Sequence, residues 1–432
     1  MNSLKKRNFC YIALSDDILT KSNIEIIKKS SKYGFVIIGL MSDNAINEYK
    51  SPPLLNFNQR KLIAENLKNV HKVVEQKTRD YTDNLIKYKP KYVIHKKNHW
   101  SKGHQKKIRD KIITTISKWS GKLLEFKTKE DFNTEIIQTN PDLRRNKLIR
   151  LINSKKIVRL LESHSSLSAL IIEKLKVDVK NTSEEFDGLW CSSLADSALR
   201  AKPDNQSVDL TTRVNSLNDI LETSTKPIMF DADNGGSLEQ LPYVVKNLER
   251  LGVSAMVMED KVGSKKNSLF DDQSGSKQDT ISNFCKKLKL ATKSRVTNDL
   301  LIVARIESFI LNKGISDALK RAEAYSRAGA DLILIHSKAK TAKEIFSFSK
   351  LYRKSKYFKP MVCVPSTYSD THEKDLIING FKVVIYANHL LRSIYPAMIK
   401  TAKSILKNKK SRNIERNISS VKEIISLIKK ND

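Results

Sequence analysis

Eight short apolar runs recur between residues 158 and 386, each followed by a helix-length segment or an extended loop. They are Val158–Glu162, Gly188–Trp190, Ile228–Asp231, Ala255–Met258, Ile302–Ile306, Leu332–Ile335, Met361–Val364 and Val383–Tyr386. Runs this short and this continuous have the pattern of parallel strands buried on both faces under a layer of helices. Eight strand–helix units over about 280 residues is the arithmetic of a (β/α)8 TIM barrel, typically ~250 residues.

The barrel leaves the front of the chain unassigned. With 432 residues the chain exceeds the size at which one core usually stops growing, so a second domain is expected. The first ~140 residues alternate strand and helix patterns as a doubly wound α/β sheet does. Phe9–Leu14, Phe35–Met41, Val70–Val74, Tyr92–His95 and Lys122–Phe126 read as strands, and Asn23–Lys32, Asn58–Asn66 and Gln105–Ser120 as helices. The charge-dense stretch Thr139–Lys147 reads as a linker, which gives a front domain over 1–138, a linker over 139–153 and a barrel over 154–432. Ser411–Lys430 reads as a basic amphipathic helix that covers the barrel or reaches a partner subunit.

The formal net charge of +32 first suggests a nucleic acid or an anionic surface. The excess is mostly Lys, spread over the whole length of a chain also rich in Asn and Ile, a pattern that AT-rich coding produces without a polyanion. No RNP-like, zinc-finger or helix-turn-helix signature accompanies it, so no nucleic-acid partner is expected. The four cysteines are far apart with no CxxC spacing, which fits a reduced cytoplasm. No apolar run approaches the ~18 residues of a membrane span, so a cytoplasmic protein is expected.

The chemistry gathers where the barrel strands end. Trp190-Cys191-Ser192-Ser193-Leu194 follows the second run, with Asp204 a little later. Asp231-Ala232-Asp233 ends the third, Glu259-Asp260-Lys261 the fourth, Arg305-Ile306-Glu307 the fifth and His336-Ser337-Lys338 the sixth. Catalytic groups of TIM barrels converge on this carboxy-terminal rim. Any one of these residues is as compatible with a solvated loop side chain; five consecutive strands delivering them together is a stronger signal. Asp204, Asp231, Asp233 and Glu259 are hard oxygen donors that suit Mg²⁺ and argue against zinc. Arg305 and His336 suit an anion, Arg305 bidentately. Between Val262 and Thr280 a polar loop has the length and composition of a mobile lid, carrying Lys265, Asn267 and Ser268 toward a phosphate.

Glu259-Asp260-Lys261, five residues, then Asn267-Ser268 resembles the EDKxxxxxNS signature of the phosphoenolpyruvate mutases, in the isocitrate lyase superfamily. Ala304–Glu307, Ile335–Lys338, Arg321–Asp331 (RAEAYSRAGAD) and Ala387–Arg392 (ANHLLR) are similar too, and the resemblance covers Ser154–Lys430. It implies that Asp231 binds Mg²⁺ directly and that Asp204, Asp233 and Glu259 act mainly through waters. It implies that Trp190, Ser192 and Leu194 hold the substrate with Arg305 and His336, while Lys265, Asn267 and Ser268 cover the transferring phosphoryl group. The K-K/R-C-G-H loop of the superfamily's lyases is absent, and Lys261–Ser268 takes its place. The implied reaction interconverts phosphoenolpyruvate and phosphonopyruvate, with a partner decarboxylase drawing it toward phosphonate biosynthesis. The implied assembly is a homodimer or homotetramer that exchanges carboxy-terminal helices such as Ile414–Ile428. Phosphonopyruvate hydrolysis is the alternative enzyme reading, and a non-catalytic binding or scaffold protein the alternative of another class. The family's DADTGYG is here DADNGGS (Asp231–Ser237), its GSGLS is CSSLA (Cys191–Ala195) and its EAHNG is ESHSS (Glu162–Ser166).

The opening strand, helix and apolar strand, then Asn58-Gln59-Arg60-Lys61 and Tyr92-Val93-Ile94-His95, are similar to the Rossmann-like, cytidylyltransferase-like domains fused to some bacterial mutases. The HxGH motif that binds CTP phosphates in such domains is replaced by Thr20-Lys21-Ser22-Asn23. The ISSTK-like segment is replaced by Phe132–Glu135, and the GDDW-like stretch by Lys96–Trp100. Without the imidazoles the resemblance implies a structural role, although the charges of Lys21 and Arg60 are of the kind that attracts a nucleotide. His95, His99 and His104 read as a solvated loop more than a metal site, because carboxylates are absent beside them.

Overall fold

A computed structural model describes residues 8–427 apart from 16–19, 49–52, 54, 98–102, 128–139, 180–181, 264 and 271. In the front domain the five strands Phe9–Leu14, Phe35–Met41, Val70–Gln76, Tyr92–Lys96 and Lys122–Phe126 pair in parallel, in the order third, second, first, fourth, fifth. Alternate side chains point to opposite faces of a strand, and both faces here are apolar. Cys10, Ile12 and Ile38 pack with Ile26, Ile27 and Ala64 from helices Lys21–Ser30 and Phe57–Glu65. Tyr11, Ile37 and Val93 pack with Leu85, Ile108 and Ile112 from helices Thr82–Tyr88 and Gly103–Ser117. The sheet is therefore covered on both sides.

The eight apolar runs close into one parallel barrel in chain order. Its strands are Val158–Glu162, Gly188–Cys191, Ile228–Asp231, Ala255–Glu259, Leu301–Ile306, Leu332–Ile335, Met361–Cys363 and Phe381–Tyr386, called first to eighth below. The same alternation fills the barrel and clothes it. Leu160, Met229, Val257, Val303 and Val383 pack inward, while Phe230, Met256, Ile302 and Ile333 face the surrounding helices.

The stretch expected as a linker is a helix, Pro141–Ser154, begun by Asn140 accepting from Asp142 N–H. Leu148, Leu151 and Ile152 plug the amino-terminal mouth of the barrel against its interior side chains. Its charges misled because they are structural. Arg144 donates to Leu221 O and Ser224 O, and Arg145 to Glu249 O, satisfying carbonyls at the ends of helices Leu210–Thr223 and Leu241–Arg250. The plug also meets the front domain, where Arg150 donates to Leu55 O at 3.3 Å and stands 3.8 Å from Asp43.

The carboxy-terminal helix expected over Ser411–Lys430 is two short helices, Arg412–Glu415 and Val421–Ser426, the second restarted by Ser420 accepting from Glu423 N–H. The long helix lies earlier, at His389–Asn408, and none of its residues is buried. Ile428 lies outside the described residues. Among the described residues no helix is long and apolar enough to cross a membrane.

Candidate active site

At the carboxy-terminal rim a cavity of about 60 Å³ opens among the loops of the second to eighth strands. That is room for roughly four to six water-sized groups beneath the loops. It brings together all twelve residues singled out from the sequence: Trp190, Ser192, Leu194, Asp204, Asp231, Asp233, Glu259, Lys265, Asn267, Ser268, Arg305 and His336.

The carboxylate side is built on the loop after the third strand. Asp231 is buried at the strand's end, where its Oδ1 accepts from Asp233 N–H and its Oδ2 from the Ser193 hydroxyl. The chain then turns through left-handed backbone at Asp233, Gly235 and Gly236 (φ +52°, +82° and +76°). A Cβ on Gly235 would lie 2.7 Å from Met258 Sδ, so the altered segment keeps the glycine its turn needs. From behind, the buried Arg213 donates to Asp196 at 2.9 Å and to Asp233 at 3.3 Å, over the Phe230 ring.

Into this cradle the lid inserts Lys265. Its ammonium donates to Asp204 Oδ1 at 2.6 Å, to Ser193 Oγ at 2.9 Å and to Asp233 Oδ1. Burial raises the Asp231 carboxyl, but Arg305, Lys265 and Arg213 outweigh it and hold it below the usual range. Glu259, equally buried, is pushed up to about 7, with Arg305 opposing and Glu307 adding to the rise. Among the described residues no three His, Cys, Asp or Glu side chains converge as a ready metal-ligand cluster. The cradle nevertheless fits a hard cation: its donors are all oxygen, and Asp204 and Asp233 already share one positive charge.

The anion side turns on a residue that sequence reading passed over. Glu307 is fully buried. Its Oε1 accepts from Arg305 Nε at 2.6 Å and its Oε2 from Ser268 Oγ at 2.6 Å. Arg305 Nη2 reaches Ser268 Oγ at 2.9 Å, and Lys261 Nζ reaches the same hydroxyl at 3.0 Å. His336 Nδ1 stands 2.9 Å from Arg305 Nη2 and 3.1 Å from Glu307 Oε1. Burial and then Arg305 lower the His336 imidazole, which favours its neutral form. Burial raises the Glu307 carboxyl, but Arg305 and His336 overcome that and hold it well below the usual range. The sequence places Glu307 at the end of the fifth strand, two residues beyond Arg305 on the same face of an extended segment, without indicating its partners.

The lid is rooted in an antiparallel pair, Lys261–Gly263 with Ser276–Gln278. Gly263 and Gly275 turn through φ +86° and +79°, and a Cβ on Gly263 would lie 2.8 Å from Gly275 O. Asp260 anchors the root. It accepts from Glu307 N–H, Gln278, Arg321 and Tyr325, which explains the RAEAY segment as a structural partner. Asn267 donates to Asp204 Oδ2 at 2.8 Å, so two lid residues hold one rim carboxylate.

In the front domain Arg60 is fully buried, donating to Asp43 at 2.8 Å and to the carbonyls of Met41 and Leu55. Its guanidinium is thus committed to holding the front domain together. Thr20 caps helix Lys21–Ser30 by accepting from Asn23 N–H, and Ser22 accepts from Lys96 at 2.8 Å. His99, the His104 side chain and Phe132–Glu135 lie outside the described residues.

Comparison with known proteins bears on the barrel. The family profile described as Phosphoenolpyruvate phosphomutase matches residues 148–406. A phosphoenolpyruvate phosphomutase from Tetrahymena pyriformis is 34% identical over 65% of this chain and 89% of its own length. A phosphonopyruvate hydrolase from Variovorax sp. (strain Pal2) is 33% identical over 64% of this chain and 91% of its own. The solved structure of a phosphonopyruvate hydrolase in complex with oxalate and Mg²⁺ superposes with a TM-score of 0.58 at 32% identity, over 66% of this chain and 94% of that one. By the reach of the family match and the level of these identities, the chain belongs to the phosphoenolpyruvate phosphomutase family.

Proposed function

We propose that the protein is a Mg²⁺-dependent phosphoenolpyruvate mutase, interconverting phosphoenolpyruvate and phosphonopyruvate. The observation that carries this reading is the lid: Lys265, Asn267 and Ser268 reach over the cavity and bond to rim residues on both its sides.

Asp231 would hold the ion directly, with Asp204, Asp233 and Glu259 through waters; the ion supplies positive charge to the substrate's oxygens. A related phosphonopyruvate hydrolase has been solved with oxalate and Mg²⁺, which supports the choice of metal. Trp190, Ser192 and Leu194 seat the keto-acid end. Breaking the P–O bond leaves an enolate and a metaphosphate-like group; Arg305 and neutral His336 stabilise the first, Lys265 and Asn267 the oxygens of the second. The enolate carbon then takes the phosphorus. A closed lid keeps water away, because attack by water gives pyruvate and phosphate. In the cell the reaction would feed phosphonate biosynthesis, with a decarboxylase consuming the product.

The 33% identity to a phosphonopyruvate hydrolase keeps hydrolysis as a second reading. Phosphorus NMR of purified protein with phosphonopyruvate and Mg²⁺ separates them. Phosphoenolpyruvate is the expected product, abolished by EDTA and restored by Mg²⁺. Inorganic phosphate and pyruvate would establish the hydrolase, and Mg²⁺-dependent binding without turnover a binding protein.

For the front domain we infer a structural unit of cytidylyltransferase-like descent that transfers no nucleotide. Arg60 is committed to Asp43, and Thr20–Asn23 stand in place of the histidines. We also infer a homodimer or homotetramer assembled through helix His389–Asn408, whose apolar stripe includes Tyr395, Met398 and Leu406, all more than 60% exposed.

A further inference from the structure

Asn388 immediately precedes helix His389–Asn408, where an asparagine side chain ordinarily accepts from the first backbone N–H groups. Here it makes no such bond. Glu162, fully buried at the end of the first strand, accepts from Leu390 and Leu391 N–H at 3.0 and 3.1 Å through Oε2, and its Oε1 pairs with His164. Capping is thus done by another residue, and Asn388 is released from it.

The backbone of Asn388 is left-handed, φ +62°, a region that Asn enters more readily than other residues with a Cβ. Its Oδ1 is buried without a hydrogen-bond partner while the residue lines the cavity. A buried side-chain atom left without a partner in a cavity wall points to a ligand that engages that side chain. The two ends of a carboxamide exchange by a half-turn, so the group can present N–H donors to an anion.

The position also selects which anion. The charged side chains lining the cavity come from the loops of the second to sixth strands; the seventh and eighth contribute Val364, Ser366, Ala387 and Asn388. In TIM barrels the loops after the seventh and eighth strands frequently form the phosphate site. We propose that Asn388 is a specificity residue whose carboxamide donates to the phosphorus-bearing end of the substrate, an inference that rests on the reaction proposed above.

The test compares a phosphonate with a probe that lacks phosphorus. Asn388→Gly keeps the left-handed backbone available while removing the amide, and an unchanged melting temperature establishes that the variant is folded. With Mg²⁺ present, the glycine variant is expected to bind phosphonopyruvate about 10- to 100-fold more weakly by calorimetry, with oxalate affinity within about twofold of the unmodified protein. Asn388→Asp is expected to lose more, by repulsion of the phosphonate, again with little change for oxalate. Equal weakening of both ligands, or none of either, overturns the proposal. Unmodified protein that binds phosphonopyruvate without converting it counts against the reaction alone, and the comparison still decides the role of Asn388. If the unmodified protein does not bind phosphonopyruvate, both fall.

Discussion

Lys265 Nζ donates to Asp204 Oδ1 at 2.6 Å, so a residue of the lid and a residue of the fixed rim form one buried ion pair. Asn267 takes the other oxygen of the same carboxylate. Closure is therefore read out by Asp204, and each lid residue is testable by itself. Asn267→Ala is expected to lower kcat by about 10²- to 10³-fold, the scale of one lost transition-state donor. Mg²⁺ binding, followed as a Mg²⁺-induced rise in melting temperature, should remain, because Asn267 lies outside the proposed ion-binding set. Activity near that of the unmodified protein would remove the proposed role.

Glu307 offers a second test, because it joins two sides of the site: Arg305 and His336 on the rim, Ser268 and Lys261 on the lid side. Removing one partner of a buried ion pair strands the other, at about 3–5 kcal/mol. Glu307→Ala should therefore lower the denaturation midpoint substantially. Glu307→Gln keeps the shape and loses the charge. It should remain folded by near-ultraviolet circular dichroism and lose about 10- to 100-fold in kcat, as Arg305 and Ser268 lose their common acceptor. A fully active Gln variant would reduce Glu307 to a packing residue.

These tests also mark what the sequence makes legible. The eight barrel strands can be read because strands buried on both faces must be apolar throughout, and their ends differ from the reading by only a residue or two, as at Leu301 and Phe381. The rim residues can be read because strand ends converge in this fold. Arg144 and Arg145 mislead for the opposite reason. Charge density signals solvent unless partners are known, and theirs are carbonyls 77 to 104 residues away in the chain. Glu307 and Asn388 escape because their significance lies in partners, gained or missing, that spacing alone does not reveal.

Lys147, on the same plug helix, yields a pH dependence of stability. Burial lowers its amine from an ordinary 10.5 to about 8, with Glu173 opposing, and it donates to Thr225 O over a long 3.4 Å. Between pH 8 and 10.5 the unfolded chain holds the proton that the folded chain has released, so stability rises with pH through that window and the penalty is complete below it. Lys147→Met should flatten this rise and stabilise the protein at pH 7 by about 1 kcal/mol, since partial solvent access reduces the full effect. Urea midpoints at pH 7 and pH 10 for both proteins check it. An unchanged slope would mean that water reaches the amine in the folded state.

Helix His389–Asn408 gives the last prediction. None of its residues is buried, yet Tyr395, Met398 and Leu406 stand 71%, 64% and 67% exposed along it. A contiguous apolar stripe of this kind marks an association surface. The amino-terminal end of the helix is tied to its own barrel through Glu162 beneath Leu390 and Leu391, and the exposed stripe beyond it is available to a second copy. Sedimentation velocity should therefore find the full chain as a dimer or tetramer. The double change Met398→Glu and Leu406→Glu should shift it to monomer, because a closed symmetric interface places each new charge in every copy of the contact. A monomeric unmodified chain at micromolar concentration, or an assembly indifferent to both charges, would place the subunit contact elsewhere.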